Sequence, residues 1–189
     1  MPVKYVNRKG QANYLRAVTA KKGGTRYYII KNPEKYPNTA LLDNLPEGFE
    51  FYEQPSEALV VLRKTLQTTI TPEEKEIVAE VMRKHETVDD YIIDTEANAI
   101  LIYIAHLSRE EFGFDEEHFQ LIQSHNDKLR FEKTNPETYK AQRFCHLSNY
   151  YGWITMETSS DLKYLAQKYC YHIDKESLLE FWIEGEEDW

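Results

Sequence analysis

Segments with the composition of β-strands come in pairs along this chain, each pair closed by a short run of turn residues, and no strand–helix–strand alternation interrupts them. This pairing restricts the fold more than any other feature, because strands joined by tight turns must run antiparallel. Tyr14 to Thr19 and Thr25 to Lys31 are rich in β-branched and aromatic residues, with Lys21, Lys22, Gly23 and Gly24 between them. Two glycines free the backbone for positive φ, so this stretch predicts a β-hairpin. Phe49 to Glu53 and Leu59 to Lys64 predict a second, turning at Gln54, Pro55 and Ser56. Val88 to Asp94 and Ala99 to Ile104 predict a third. Its strands are apolar on both faces, which argues for a central, doubly covered position. Asn32 to Pro46 carries Pro33, Pro37 and Pro46 and is expected to be a loop.

The strongest helix signal starts at Thr71. Thr71 is an N-cap, Pro72 stands at the first helical position and Glu74 completes a capping box, ahead of the stripe Ile77, Val78, Val81 and Met82. Asp115 to Ser124 predicts another helix. Ser160 is expected to cap a third, with Leu162, Leu165, Ala166 and Tyr169 on one face. Asp174 is expected to cap a fourth, with Ile173 and Leu178 as a hydrophobic staple. Strands are expected at Leu129 to Lys133, Arg143 to Leu147 and Trp153 to Met156. The class is therefore α+β, a largely antiparallel sheet built from β-hairpins with about four helices. A boundary near Ser108 to Gly113 would give an N-terminal hairpin-rich lobe over 1–107 and a C-terminal lobe over 108–189 ending in a helical pair. One compact domain fits equally well.

Gly48 to Lys64 matches Gly152 to Lys168 at a constant offset, but the first copy continues as a strand sequence and the second as a helix sequence. The segments Leu45-Pro46-Glu47-Gly48-Phe49-Glu50, Leu62-Arg63-Lys64, Arg143-Phe144-Cys145 and Lys168-Tyr169 resemble those of a bacterial protein family with no assigned activity. That resemblance implies no function and carries over no functional residue.

Charge is distributed unevenly. The first 33 residues contain eight Lys or Arg and no Asp or Glu, while the remainder holds 15 basic and 32 acidic residues, for a net charge of −9. Overall acidity argues against broad nucleic-acid or membrane binding by the whole surface. The basic head points to an anionic partner or to the protein's own acidic body. No apolar run approaches the roughly 20 residues that span a bilayer. No membrane association is expected, and the N-terminus lacks a signal-peptide core. Cys145 and Cys170 do not make a disulfide framework, and two buried thiols fit a cytoplasmic location.

The expected anion-binding set is Lys21, Lys22, Arg26, Arg8, Lys9 and Tyr27. Cations interleaved with aromatics, here Tyr14, Tyr27 and Tyr28 on the strands, can neutralise phosphates and stack bases. Partners of two kinds follow, an acidic protein surface or nucleic acid engaged without sequence preference. A solvated hairpin docked on an acidic neighbour is the plainer account.

No catalytic residue is assigned in the leading reading. The alternative rests on two identical tripeptides, His106-Leu107-Ser108 and His146-Leu147-Ser148, each at the end of an expected strand. They are similar to the motifs of two-histidine phosphoesterases. That resemblance implies one imidazole as general base, the other as general acid, and Ser108 and Ser148 holding a phosphate of a nucleotide or RNA end. Arg109 and Asn149 depart from that pattern.

His118 and His125 fall on one face of an expected helix, near Asp115, an arrangement that suggests a metal site. Seven residues on a helix place side chains about 10 Å apart along its axis, too far for one metal. No metal and no cofactor is expected. Leu162 to Trp182 has a helix-turn-helix outline, but Asp174, Glu176, Glu180 and Glu184 would repel DNA. No phosphate-binding glycine loop, nucleophile elbow or Cys-x-x-Cys pair occurs. The chain is therefore expected to be a binding or interaction protein that uses its basic N-terminal hairpin.

Overall fold

The computed structural model describes residues 1–107, 116–147 and 150–181; at Thr39, Glu116, Glu117, His146, Leu147, Tyr150 and Tyr151 it describes the backbone alone. These residues form antiparallel sheets and three α-helices, an α+β arrangement with one helix fewer than expected. Contacts divide the chain into two units, Met1–Leu66 with Arg109–Ser124, and Gln67–Ser108 with His125–Trp189. The expected boundary segment, 108–113, lies outside the described residues. Among the described residues, no helix is long and apolar enough to cross a membrane.

In the first unit, β1 (Lys4–Val6), β2 (Ala12–Thr19) and β3 (Thr25–Ile30) form a sheet in that order. β2 and β3 pair from Tyr14↔Ile30 to Thr19↔Thr25. Gly23 and Gly24 close the hairpin at φ +82° and +85°, conformations that a Cβ would strain. Gly23 N donates to Ala20 O at 3.0 Å, and Ala20 N to Gly24 O at 3.0 Å. Side chains alternate across a strand, so Leu15, Ala17 and Tyr27 share one face while Arg16, Val18, Arg26 and Tyr28 share the other. The first face is packed: Leu15 is fully buried, and the rings of Tyr5 and Tyr27 lie 5.7 and 6.2 Å from those of Phe51 and Phe49. β4 (Phe49–Glu53) pairs with β5 (Val60–Lys64). The third element of this unit is α2 (Glu116–Ile122).

The second unit is built on a five-stranded sheet. Its strands are β6 (Tyr91–Thr95), β7 (Ala99–Ala105), β8 (His125–Asn135), β9 (Thr138–Leu147) and β10 (Tyr150–Ser159), in the order β10-β9-β8-β7-β6. The helices α1 (Pro72–Met82) and α3 (Leu162–Cys170) pack on one side. Ile100, Ile102, Leu129, Phe131 and Ala141 from the sheet meet Val78, Met82, Leu165, Ala166 and Tyr169 from the helices in the main core. The α1 capping box is present in both directions, Glu74 N to Thr71 Oγ1 at 3.2 Å and Thr71 N to Glu74 Oε2 at 2.7 Å.

Several expectations are corrected here. β7 is central and mostly buried, but β6 is the sheet edge and none of its residues is fully buried. Asp161, not Ser160, caps α3 and accepts from Tyr164 N at 2.9 Å. The expected fourth helix is a five-residue 3-10 turn, Glu176–Glu180. Asp174 adopts φ +61° and Phe181 is already extended, so too few residues remain for helical bonding to propagate. The staple pair still does its packing work: Ile173 and Leu178 are both in the core.

Candidate anion-binding surface

The six residues read from sequence as anion-binding fall into two separate places in the first unit. Lys21 and Lys22 form the tip of the β2–β3 hairpin, and Arg26 follows two residues past Gly24. All three are exposed, and among the described residues none makes a side-chain hydrogen bond or an ion pair. The surrounding sequence explains why: no carboxylate occurs between residues 1 and 33, so neither strand can supply a neighbouring acid.

Arg8 and Lys9 lie in the β1–β2 turn, at the opposite end of β2. Eight residues at about 3.3 Å each separate the two turns by roughly 26 Å. There Arg8 is spent internally. Its Nη1 donates to Glu53 Oε1 at 2.9 Å and to Gln54 O at 3.1 Å, and Nη2 donates to the Pro55 carbonyl. Asn7, buried beside it, donates to Ala58 O at 2.8 Å. Lys9 Nζ donates to Leu121 O at 2.9 Å, and burial, aided by the Arg8 charge, pulls its pKa down. Lys31 reaches Gln11 Oε1 at 2.7 Å. The positive head is thus partly matched within the molecule, and its unmatched part is concentrated at the hairpin tip.

Tyr27 lies on the face that packs, its ring centroid 6.2 Å from that of Phe49, and remains 36% exposed. Its neighbour Tyr28 is the ring on the open face, 44% exposed and on the same side as Arg26. Arg16 stands opposite Tyr28 in the register, and its guanidinium lies 4.2 Å from the centroid of the Tyr36 ring. Tyr28 is among the aromatics expected beside the hairpin cations, whereas Arg16 and Tyr36 are not in the expected set. Tyr36 sits in the following loop, where no period operates.

The histidine motifs occupy a different place, in the second unit. β7 and β9 both run antiparallel to β8, so they are parallel to each other and end at the same side of the sheet. One strand lies between them, a spacing of about 9.6 Å. His106 is exposed and accepts from Asn126 Nδ2 at Nδ1, 3.2 Å away. Ser108, Ser148, Arg109, Asn149 and the His146 side chain lie outside the described residues.

His118 and His125 do not share a helix, as they were expected to. His118 is on α2, while His125 opens β8, buried, with Nε2 at 2.9 Å from Asp90 Oδ1. Asp115 lies outside the described residues. Cys145 and Cys170 are both buried and free; burial pushes the Cys170 thiol far above its usual range, which removes it as a nucleophile at neutral pH.

Between α1 and α3 lies a cavity of about 300 Å³ with Lys84, Lys163, Lys175, Glu80 and Glu86 at its wall. Its histidine is fully engaged: His85 Nδ1 accepts from Val88 N at 3.1 Å, which leaves Nε2 to donate to Cys170 O at 3.0 Å. Among the described residues, no free imidazole lines this space. His172 contacts Ser177 Oγ at 2.8 Å, and burial and the Lys175 charge keep its pKa low, but among the described residues no carboxylate hydrogen-bonds its second nitrogen. The hairpin tip therefore remains the surface with the clearest unsatisfied chemistry. No protein family, curated protein or solved structure matches this chain.

Proposed function

We propose that this chain is a non-catalytic binding protein whose N-terminal hairpin engages an anionic partner. One observation carries the reading: Lys21, Lys22 and Arg26 stand together, exposed, with no partner among the described residues. A cluster of three unpaired cations is electrostatically unfavourable in isolation and becomes favourable when an anion is shared among them. The Arg8 bonds to Glu53, Gln54 and Pro55 support the reading further, because they satisfy one cation of the head internally, at the end of β2 away from the tip. Retention on heparin resin tests the proposal. The wild type should bind at low salt despite its net charge of −9, and the K21A/K22A/R26A variant should flow through. Equal retention of both would remove the hairpin as the contact surface.

A second reading keeps the histidine pair as a phosphodiesterase of nucleotides or RNA ends. It is favoured by one placement, the common end of β7 and β9 on which His106 and His146 stand. Hydrolysis of a 2′,3′-cyclic nucleotide that disappears in both His106→Ala and His146→Ala would establish it; absence of turnover in the wild type would end it.

A further inference from the structure

The open face of the β1–β2–β3 sheet carries more than charge. Arg26 and Tyr28 project from it two residues apart, about 6.6 Å along the strand. Arg16 sits across from Tyr28 with its guanidinium plane over Tyr36, and Lys21 and Lys22 extend the cationic line to the hairpin tip. The Arg16 Nε is buried without a hydrogen-bond acceptor among the described residues, so Tyr36 is its neighbour in place of a carboxylate. Val18 and Ile30 fill the surface between these groups, and neither is fully buried.

We propose that this face binds single-stranded nucleic acid, a step that rests on the hairpin being the contact surface. Phosphates meet Lys21, Lys22 and Arg26, and a base stacks on Tyr28. An acidic protein would satisfy the cations equally but gives no reason for an exposed tyrosine ring among them. Every base offers a π-face to such a ring, whereas in a duplex those faces are covered by their neighbours. Stacking on Tyr28 and charge contacts to phosphates do not distinguish one base from another, so the binding is sequence-tolerant.

Anisotropy of a fluorescein-labelled 12-mer of dT tests this on the full chain. Three phosphate contacts to a single strand give a salt slope near −2, so affinity should fall about twentyfold from 50 to 200 mM salt. Tyr28→Thr, chosen to keep strand propensity, should weaken binding at least about fivefold with the salt slope unchanged. Tyr28→Phe should restore it. K21A/K22A/R26A should lose both affinity and slope. A 12-base-pair duplex and polyglutamate serve as competitors and should compete poorly. If either displaces the oligonucleotide as well as unlabelled dT does, or if Tyr28→Thr binds like the wild type, the nucleic-acid assignment is wrong. Loss of binding in the triple variant would then still leave the hairpin as the contact surface. If the triple variant binds all three polyanions as the wild type does, both fail together.

Discussion

Glu157 on β10 accepts from Lys168 Nζ at 2.6 Å, from the Tyr169 hydroxyl at 2.7 Å and from the Tyr164 hydroxyl at 3.2 Å. Burial opposes its ionisation, but these donors outweigh burial and hold its carboxyl below the usual range. Glu74 repeats the arrangement on α1, where burial is again outweighed, by Lys133 Nζ at 2.7 Å, by the Tyr139 hydroxyl and by the Thr71 backbone. The same bond, with burial acting first, raises the Tyr139 pKa to about 12. Glu157→Ala would strand the hydroxyl of Tyr169, which is only 2% exposed, and should cost about 1–3 kcal/mol in urea unfolding. A depressed carboxyl contributes stability above its unfolded pKa of about 4.3, and that contribution vanishes as pH falls through the lower folded value. The urea midpoint should therefore drop between pH 6 and pH 3, and the drop should be smaller in a Glu74→Gln, Glu157→Gln double variant. A pH dependence identical to wild type would show that these two groups do not set it. The Thr71–Glu74 box was legible in the sequence because its partners are three residues apart. Lys133 and Tyr139 were not, because they reach Glu74 from two paired strands far along the chain, β8 and β9.

Elements whose signals are local came through with small boundary shifts. The β2–β3 and β4–β5 hairpins and α1 are fixed by turn glycines, a proline and a cap, all readable within a few residues. Elements defined by what they pack against did not. β1 has three residues, too few for a period to register, and exists because β2 offers it an edge. β6 looked central because Ile92 and Ile93 are both apolar, yet sheet order makes it an edge. His125 followed a helix-like stretch and instead begins β8, where its pairing with Ala105 and its bond to Asp90 decide the conformation. Two substitutions measure the balance. Thr71→Ala should lower stability by about 1 kcal/mol, the value of a lost cap. Phe131→Ala, at a fully buried position on β8, should cost about 3–5 kcal/mol, since it removes a large side chain from a close-packed core. Equal costs in chemical denaturation would mean that α1 is held by its terminus more than by the sheet beneath it.

At the scale of the whole molecule, the sequence revealed how much positive charge the head carries but not how it is shared out. The reading of Arg8 and Lys9 as part of the same cluster as Lys21 failed to anticipate that a strand would separate them and that Glu53, 45 residues away, would claim Arg8. Replacing Lys21, Lys22 and Arg26 by Ala moves the net charge from −9 to −12. Because these side chains are exposed and make no hydrogen bond or ion pair among the described residues, the melting temperature should stay within about 1 °C of wild type while elution from an anion exchanger shifts later. A large fall in melting temperature would mean that the tip is part of the scaffold. The glycine turn has a further effect on which side of this ribbon meets the solvent. Strand period is two, so inserting one residue between Lys22 and Gly23 would offset every later position of β3. Tyr28 and Arg26 would rotate inward against Phe49, and Tyr27 would emerge in their place. The identity of the exterior is thus encoded in the length of a five-residue bend, and a chain one residue longer there would present a different molecule to its surroundings.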